Sequence, residues 1–346
     1  MRNMLALVLA LTLPAVTPAQ QPRVTEQVSG VTSTVQAVSP VNERIVWASG
    51  TAGMVLRTVD GGDTWERHPV PNVGRLQFRG VHAISATEAW VLSIGNGPDS
   101  RIYHTVDGGA IWIEQFRNTD STAFYDCITF FDAKHGVAYG DYSQGRTMIL
   151  RTEDAGTHWD LLPANDVPAP LKDEGGFASS NSCAISVDSK HGWIAAGTPR
   201  SRVFRTDNAG RTWTVAGEAP VIKLPSSGLT AIAFRDTKHG IGVGGLVSGN
   251  MTRDTTPDAV TTTDDGGVTW TLRHRPAQPG MLSGVTLVPR ASDNTVVTAT
   301  YTGVQVSTDG GDSWTGVASG YYWAVRATGK RAWAVGNGGK ITRLDF

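Results

Sequence analysis

The octapeptide Thr58 to Trp65, TVDGGDTW, returns along the chain as TVDGGAIW, TEDAGTHW, TDNAGRTW, TDDGGVTW and STDGGDSW. The closing tryptophans, Trp65, Trp112, Trp159, Trp213, Trp270 and Trp314, lie 47, 47, 54, 57 and 44 residues apart. A unit of this length, recurring six times, buries its apolar face against its neighbours, as propeller blades or solenoid repeats do. Ahead of each box the same pieces recur in order: an apolar run such as GVHAIS or LTAIAF, a turn, a second run such as AWVLSIG or GWIAAG, and a third such as RIYHT or RVFRT. With the short run that begins at each tryptophan, these make one four-stranded antiparallel blade.

Six boxes give six blades, and the tail YYWAVRATGKRAWAVGNGGKITRLDF supplies three strands of a seventh. The fourth is expected from RVTEQVSG, Arg23 to Gly30, directly ahead of the first blade. Joining the two ends closes the ring and removes two exposed sheet edges. The expected fold is all-β: a seven-bladed β-propeller of four-stranded antiparallel blades, the last closed by the N-terminal strand, in a single domain from residue 20 to 346.

Arg2, the apolar run Leu5 to Leu13 and the small-residue stretch ending at Ala19 have the order of a signal peptide, so residues 1–19 are expected to be removed and the mature chain secreted or periplasmic. No segment reaches the ~20 apolar residues of a membrane span. A net charge of -1 argues against nucleic acid as a partner.

In each box an acidic side chain can accept backbone N–H bonds while the glycines supply positive φ. Asp60, Asp107, Asp154, Asn208, Asp265 and Asp309 are therefore read as structural turn residues. Asn208 can make the same turn with its side-chain oxygen. A calcium loop would need alternating acids and a distal bidentate Glu, which the boxes lack. No metal or cofactor is expected.

The box pattern resembles the Asp-box, or BNR, repeat of sialidases and related propellers. The fuller unit, with KHG turns at Lys134-His135-Gly136, Lys190-His191-Gly192 and Lys238-His239-Gly240, resembles the photosystem II stability/assembly factor family. That resemblance implies a protein-binding or membrane-complex assembly scaffold whose partner is a protein client, for instance a membrane-complex subunit. It also implies an arginine-lined client face, to which no individual residue here is matched. A glycoside hydrolase of sialidase or xyloglucanase type, or a glycan-binding propeller, is the competing expectation. A sialidase set is not carried over: the nearest stretch, Glu43 to Trp47, reads ERIVW, with Val where the motif has Pro. Candidate carboxylates for a glycosidase are Asp126, Asp141, Asp173 and Glu174, but nothing in the sequence pairs them.

His135, His191 and His239 occupy the same turn in successive blades, too far apart for one metal. Cys127 and Cys183 align on equivalent inner-strand positions, where the other blades are read as carrying Val35, Val81, Thr230, Val285 and Val325; two buried thiols are expected. A binding site is expected at the mouth of the central channel, where the repeat alignment gathers Arg79, Tyr125, Asp126, Asn181, Tyr322 and Trp323. The insertions Pro163 to Phe177 and Leu246 to Asp258 are candidate binding loops.

Overall fold

The computed structural model describes residues 21–222, 224–292 and 294–346; the expected signal peptide lies outside the described residues. Seven four-stranded antiparallel sheets form the seven blades. The N-terminal strand, Arg23–Gln27, is the outer strand of blade seven, pairing Arg23 with Asp345 and Gln27 with Ile341. Gln27 also locks the closure onto blade one, donating to Gly61 O at 3.0 Å and accepting from the Trp65 indole at 3.2 Å. No helix among the described residues is long and apolar enough to cross a membrane.

In six inner strands the pairing with the second strand skips one residue: Gln36, Arg79, Asp126, Thr230, Ser283 and Trp323. Such a bulge re-aims one side chain and bends the strand. The next residue is always small: Ala37, Gly80, Cys127, Ala231, Gly284 or Ala324. Adjacent blades approach closely there. A Cβ placed on Gly284 would lie 3.2 Å from the backbone nitrogen of Val325 in blade seven.

This bulge corrects the expectation for the cysteines. Cys127 pairs with Tyr139 and Cys183 accepts from the Ala195 N–H, the fourth residue in each second strand, so the two are equivalent as aligned. Their counterparts, however, are the small residues after the bulge and not the valines. At that point neighbouring inner strands bring the Cα atoms to 6.0 Å, within disulfide reach, and the two sulfurs are bonded. The bridge is fully buried and ties blade three to blade four.

Each box folds its own turn. In blade one Thr58 Oγ1 bonds Asp60 Oδ1, the Gly62 N–H donates to Thr58 Oγ1, and Thr64 donates its N–H and hydroxyl to the Asp60 carboxylate. Asn208 repeats the pattern, accepting from the Thr212 N–H and donating to the Thr212 hydroxyl. Neighbouring blades are then stitched by long side chains. Arg57 donates to Ala86 O and Gly108 O in blade two, Arg151 to Ala209 O in blade four, and Trp47, Trp90 and Trp193 each reach a carbonyl in the next blade. In the KHG turns His135, His191 and His239 each bond the aspartate three residues earlier, which makes them turn residues.

Partial burial pushes Asp60 and Asp309 up, but the bonds from Thr64 and Ser313 outweigh it and both end below the usual carboxylate range. The His158 side chain lowers Asp154 to about 2. Groups depressed in the fold stabilise it above their unfolded pKa near ~4 and lose that contribution as pH falls. The urea midpoint should therefore drop steadily between about pH 5 and pH 2. Asp60→Ala should cost about 1–2 kcal/mol, and Asp60→Asn clearly less, because Asn208 already makes this turn.

For the cysteines, alkylation of the denatured, unreduced protein should leave both unlabelled. With a sequence separation of 56, reduction should lower stability by about 4 kcal/mol in denaturant titrations.

Candidate functional site

The inner strand of blade four is cut to three residues, Ala184–Ser186, because residues 177–182 leave the blade and cross the central channel. This plug is bonded all round the axis. Ser179 Oγ donates to Ser283 O at 3.0 Å and Thr230 O at 3.3 Å. The Asn181 side chain accepts from the Ile128 N–H at 2.8 Å and donates to Val81 O and Ile128 O at 3.1 Å. Arg79 holds Ala178 O at 3.0 Å on one side, and Arg326 holds Asn181 O at 2.9 Å on the other. Asn181 sits at φ 59°, a conformation that Asn tolerates better than most residues. The channel is thus divided into two ends.

The insertion Pro163 to Phe177 feeds the plug and is clamped by Glu174, which takes two hydrogen bonds from Arg202 at 2.6 and 2.5 Å. It walls a cavity of about 530 Å³ at the mouth, lined by Arg79, Asp126, Asp141, Asp173, Glu174 and Phe177 among others. All four carboxylates that the sequence left unpaired meet here. Glu174 is neutralised by Arg202; Asp126 and Asp141 share a hydrogen bond with each other. Burial raises both, and for Asp126 the field of Asp141 adds to it while Arg79 opposes; Asp141, which also accepts from the Gly176 N–H, is raised to about 6. Like charges in contact cannot both ionise readily, so the pair keeps a proton well above the ordinary carboxylate range.

Arg79 also borders a second cavity of about 450 Å³, together with Phe177, Met251, Met281, Tyr301 and Trp323. Its guanidinium lies 4.7 Å from the Trp323 ring centroid, a cation–π contact. Tyr301 stacks on Tyr321 at 4.2 Å, and both pack beside Trp323. Met251 comes from the other insertion, which Asp254 orders by accepting from the Leu246 and Thr256 N–H groups and facing Arg275 at 3.6 Å. The two cavities share Arg79, Phe177, Ala178 and Thr198 and form one trough, acidic at one end and aromatic at the other.

Of the residues expected at the mouth, Arg79, Asp126 and Trp323 line this trough, and all three are bulge residues. Tyr125 and Tyr322, one position earlier, turn into the blades: Tyr125 packs on Phe116, and Tyr322 bonds Thr342 and Glu26. Asn181 lies in the plug. Sequence reasoning missed Tyr301 and Tyr321, which sit just outside strands, and Met281, while Met251 belongs to the Leu246 to Asp258 insertion expected as a binding loop. Among the described residues Arg79 is the single arginine lining the trough, so the arginine-lined face implied by resemblance is not found there.

No family model matches the sequence, and no curated protein matches it. Solved structures do match the fold. YCF48 bound to a D1 peptide is 17% identical over 97% of this chain and 100% of its own, with a TM-score of 0.61. YCF48 from Cyanidioschyzon merolae is 17% identical over 93% of this chain and 98% of its own, with a TM-score of 0.65. The GH74 enzyme from Niastella koreensis is 14% identical with a TM-score of 0.63; it is covered over 53% of its length by 93% of this chain. At these identities the likeness is one of fold alone: a seven-bladed propeller like that of YCF48 and of roughly half of the GH74 enzyme.

Proposed function

We propose that this chain is an exported, non-catalytic propeller that holds an extended segment of a protein client in the trough at the channel mouth. The observation that carries this reading is the trough itself. It is open, floored by the plug and walled by two ordered insertions, with the Asp126–Asp141 pair at one end and the Tyr301, Tyr321 and Trp323 cluster at the other. A segment with a basic side chain spaced from an aromatic or apolar one fits both ends. The YCF48 structure with a D1 peptide supports a peptide occupant on this architecture. Export is supported by the leader pattern and by the Cys127–Cys183 bridge, which needs an oxidising compartment.

The second reading is a glycan ligand or glycoside hydrolysis, favoured by acids and aromatics in one trough and by the GH74 likeness. Against hydrolysis stands the carboxyl pair: glycosidases hold theirs about 5–10 Å apart across the scissile bond, whereas Asp126 and Asp141 bond each other.

Selection of residues 20–346 against a random peptide library, with fluorescence polarisation of the enriched peptides, separates these readings. Enriched sequences should pair Lys or Arg with an aromatic, and Trp323→Ala should weaken them at least ~10-fold, the weight of one aromatic anchor. Affinity for the basic peptide should rise as pH increases through about 6, because Asp141 then ionises and the pair, its remaining proton held on the Asp126 side, gains negative charge. A library that yields no sequence above background, or turnover of xyloglucan or sialosides, would overturn the client reading.

A further inference from the structure

The opposite end of the channel has the reverse chemistry. Beyond the plug the far halves of the inner strands surround two cavities of about 160 and 280 Å³ that share Ile185, Ser186, Arg326 and Ala327. Among the described residues no carboxylate lines either one. Arg326 spends one hydrogen bond on Asn181 O and, among the described residues, is in no ion pair; burial alone lowers it to about 10. A cation set into a protein without a counter-charge is costly unless an anion joins it.

The neighbouring groups are donors as well. His82 accepts the Phe130 N–H on Nδ1 at 3.4 Å, which leaves the proton of the neutral ring on Nε2. Burial, aided by the Arg326 charge, lowers His82 to about 4, so the ring stays neutral and donates from Nε2. Ser39 Oγ accepts from the Ala83 N–H at 3.0 Å, and among the described residues its own proton has no acceptor. Arg326 belongs to blade seven, His82 to blade two and Ser39 to blade one, and all three line the smaller cavity.

We propose that this end of the channel is a binding site for a compact oxyanion of the phosphate or sulfate type, held by Arg326 with His82 and Ser39. The site is independent of the mouth, because the plug separates the two. Arg326 supplies charge and a planar donor fork, which suits an oxyanion better than an ammonium would. The donors come from three blades, so the anion is met from several directions, as a tetrahedral ion requires.

The test is thermal unfolding of the mature chain with sodium phosphate, sodium sulfate or O-phosphoserine, each against sodium chloride at matched ionic strength. A hundredfold excess over Kd should raise Tm by about 3–4 °C for a chain of this size. Equal effects from phosphate and phosphoserine point to the free ion, and a larger effect from phosphoserine to an esterified group. Arg326→Met should abolish the rise, Arg326→Lys should retain part of it, and His82→Phe, which keeps the ring packing, should weaken phosphate about 10-fold by isothermal titration. The lysine and phenylalanine variants keep the test decisive if the methionine variant does not fold. No rise beyond chloride with any of the three anions, or an undiminished rise in Arg326→Met, would overturn the proposal.

Discussion

Seven strands can converge on one axis only if each meets its neighbours with little bulk, and the inner-strand bulge is how this chain arranges it. One residue is thrown toward the channel and the next, Ala, Gly or Cys, faces the adjacent blade. The contact is close enough that two cysteines placed there join, where two valines could not have fitted without spreading the blades. The bridge is therefore a covalent version of a packing contact that the other blades make with alanine and glycine. Thr230 and Ser283, also at bulges, turn their hydroxyls to Leu282 O and Tyr322 O of the following blade and close the same seam by hydrogen bonding.

The bulge also decides what the channel displays. Arg79, Asp126 and Trp323 line the trough because the bulge re-aims them, while Tyr125 and Tyr322, one residue earlier, are swallowed by the blades. Here the repeat was legible in the sequence and the detail was not. The boxes marked six blades and their strand order, because an acidic turn ending in tryptophan has the same hydrogen bonds wherever it occurs, and the box-less tail, one strand short, pointed to closure by Arg23–Gln27. An irregularity of one residue leaves no comparable mark. The repeat alignment sets Val35, Val81, Thr230, Val285 and Val325 against the cysteines, where the bulge places Ala37, Gly80, Ala231, Gly284 and Ala324, and a slip of this kind conceals the close approach that permits the disulfide.

The other illegible part is long-range. Asp126 and Asp141 stand on adjacent strands of one blade, and Gly176, from an insertion, closes over them with its N–H on Asp141. Tyr301 and Tyr321 lie after strands of blade six and meet Trp323 only through the curvature of the ring. Met251 reaches the trough because Asp254 and Arg275 fold its loop back. Tyr301 and Tyr321 have no repeat counterpart that could have flagged them, Met251 is marked only as part of the Leu246 to Asp258 insertion, and periodicity is silent where the blades differ.

The plug turns this irregularity into function. A propeller with an open channel would let the acidic mouth and the cationic far end share one solvent path; residues 177–182 separate them, and the separation is held by two arginines gripping backbone carbonyls, Arg79 on Ala178 and Arg326 on Asn181. Those same two arginines each border a cavity on their own side. Backbone carbonyls take only part of a guanidinium's donor capacity, so each arginine anchors the plug and still presents positive charge to its own end of the axis. At the mouth that charge is opposed by Asp126 and cushioned by Trp323, which leaves the trough balanced and suited to a mixed segment of chain. At the far end nothing among the described residues opposes it, and the chemistry that remains is that of an anion site.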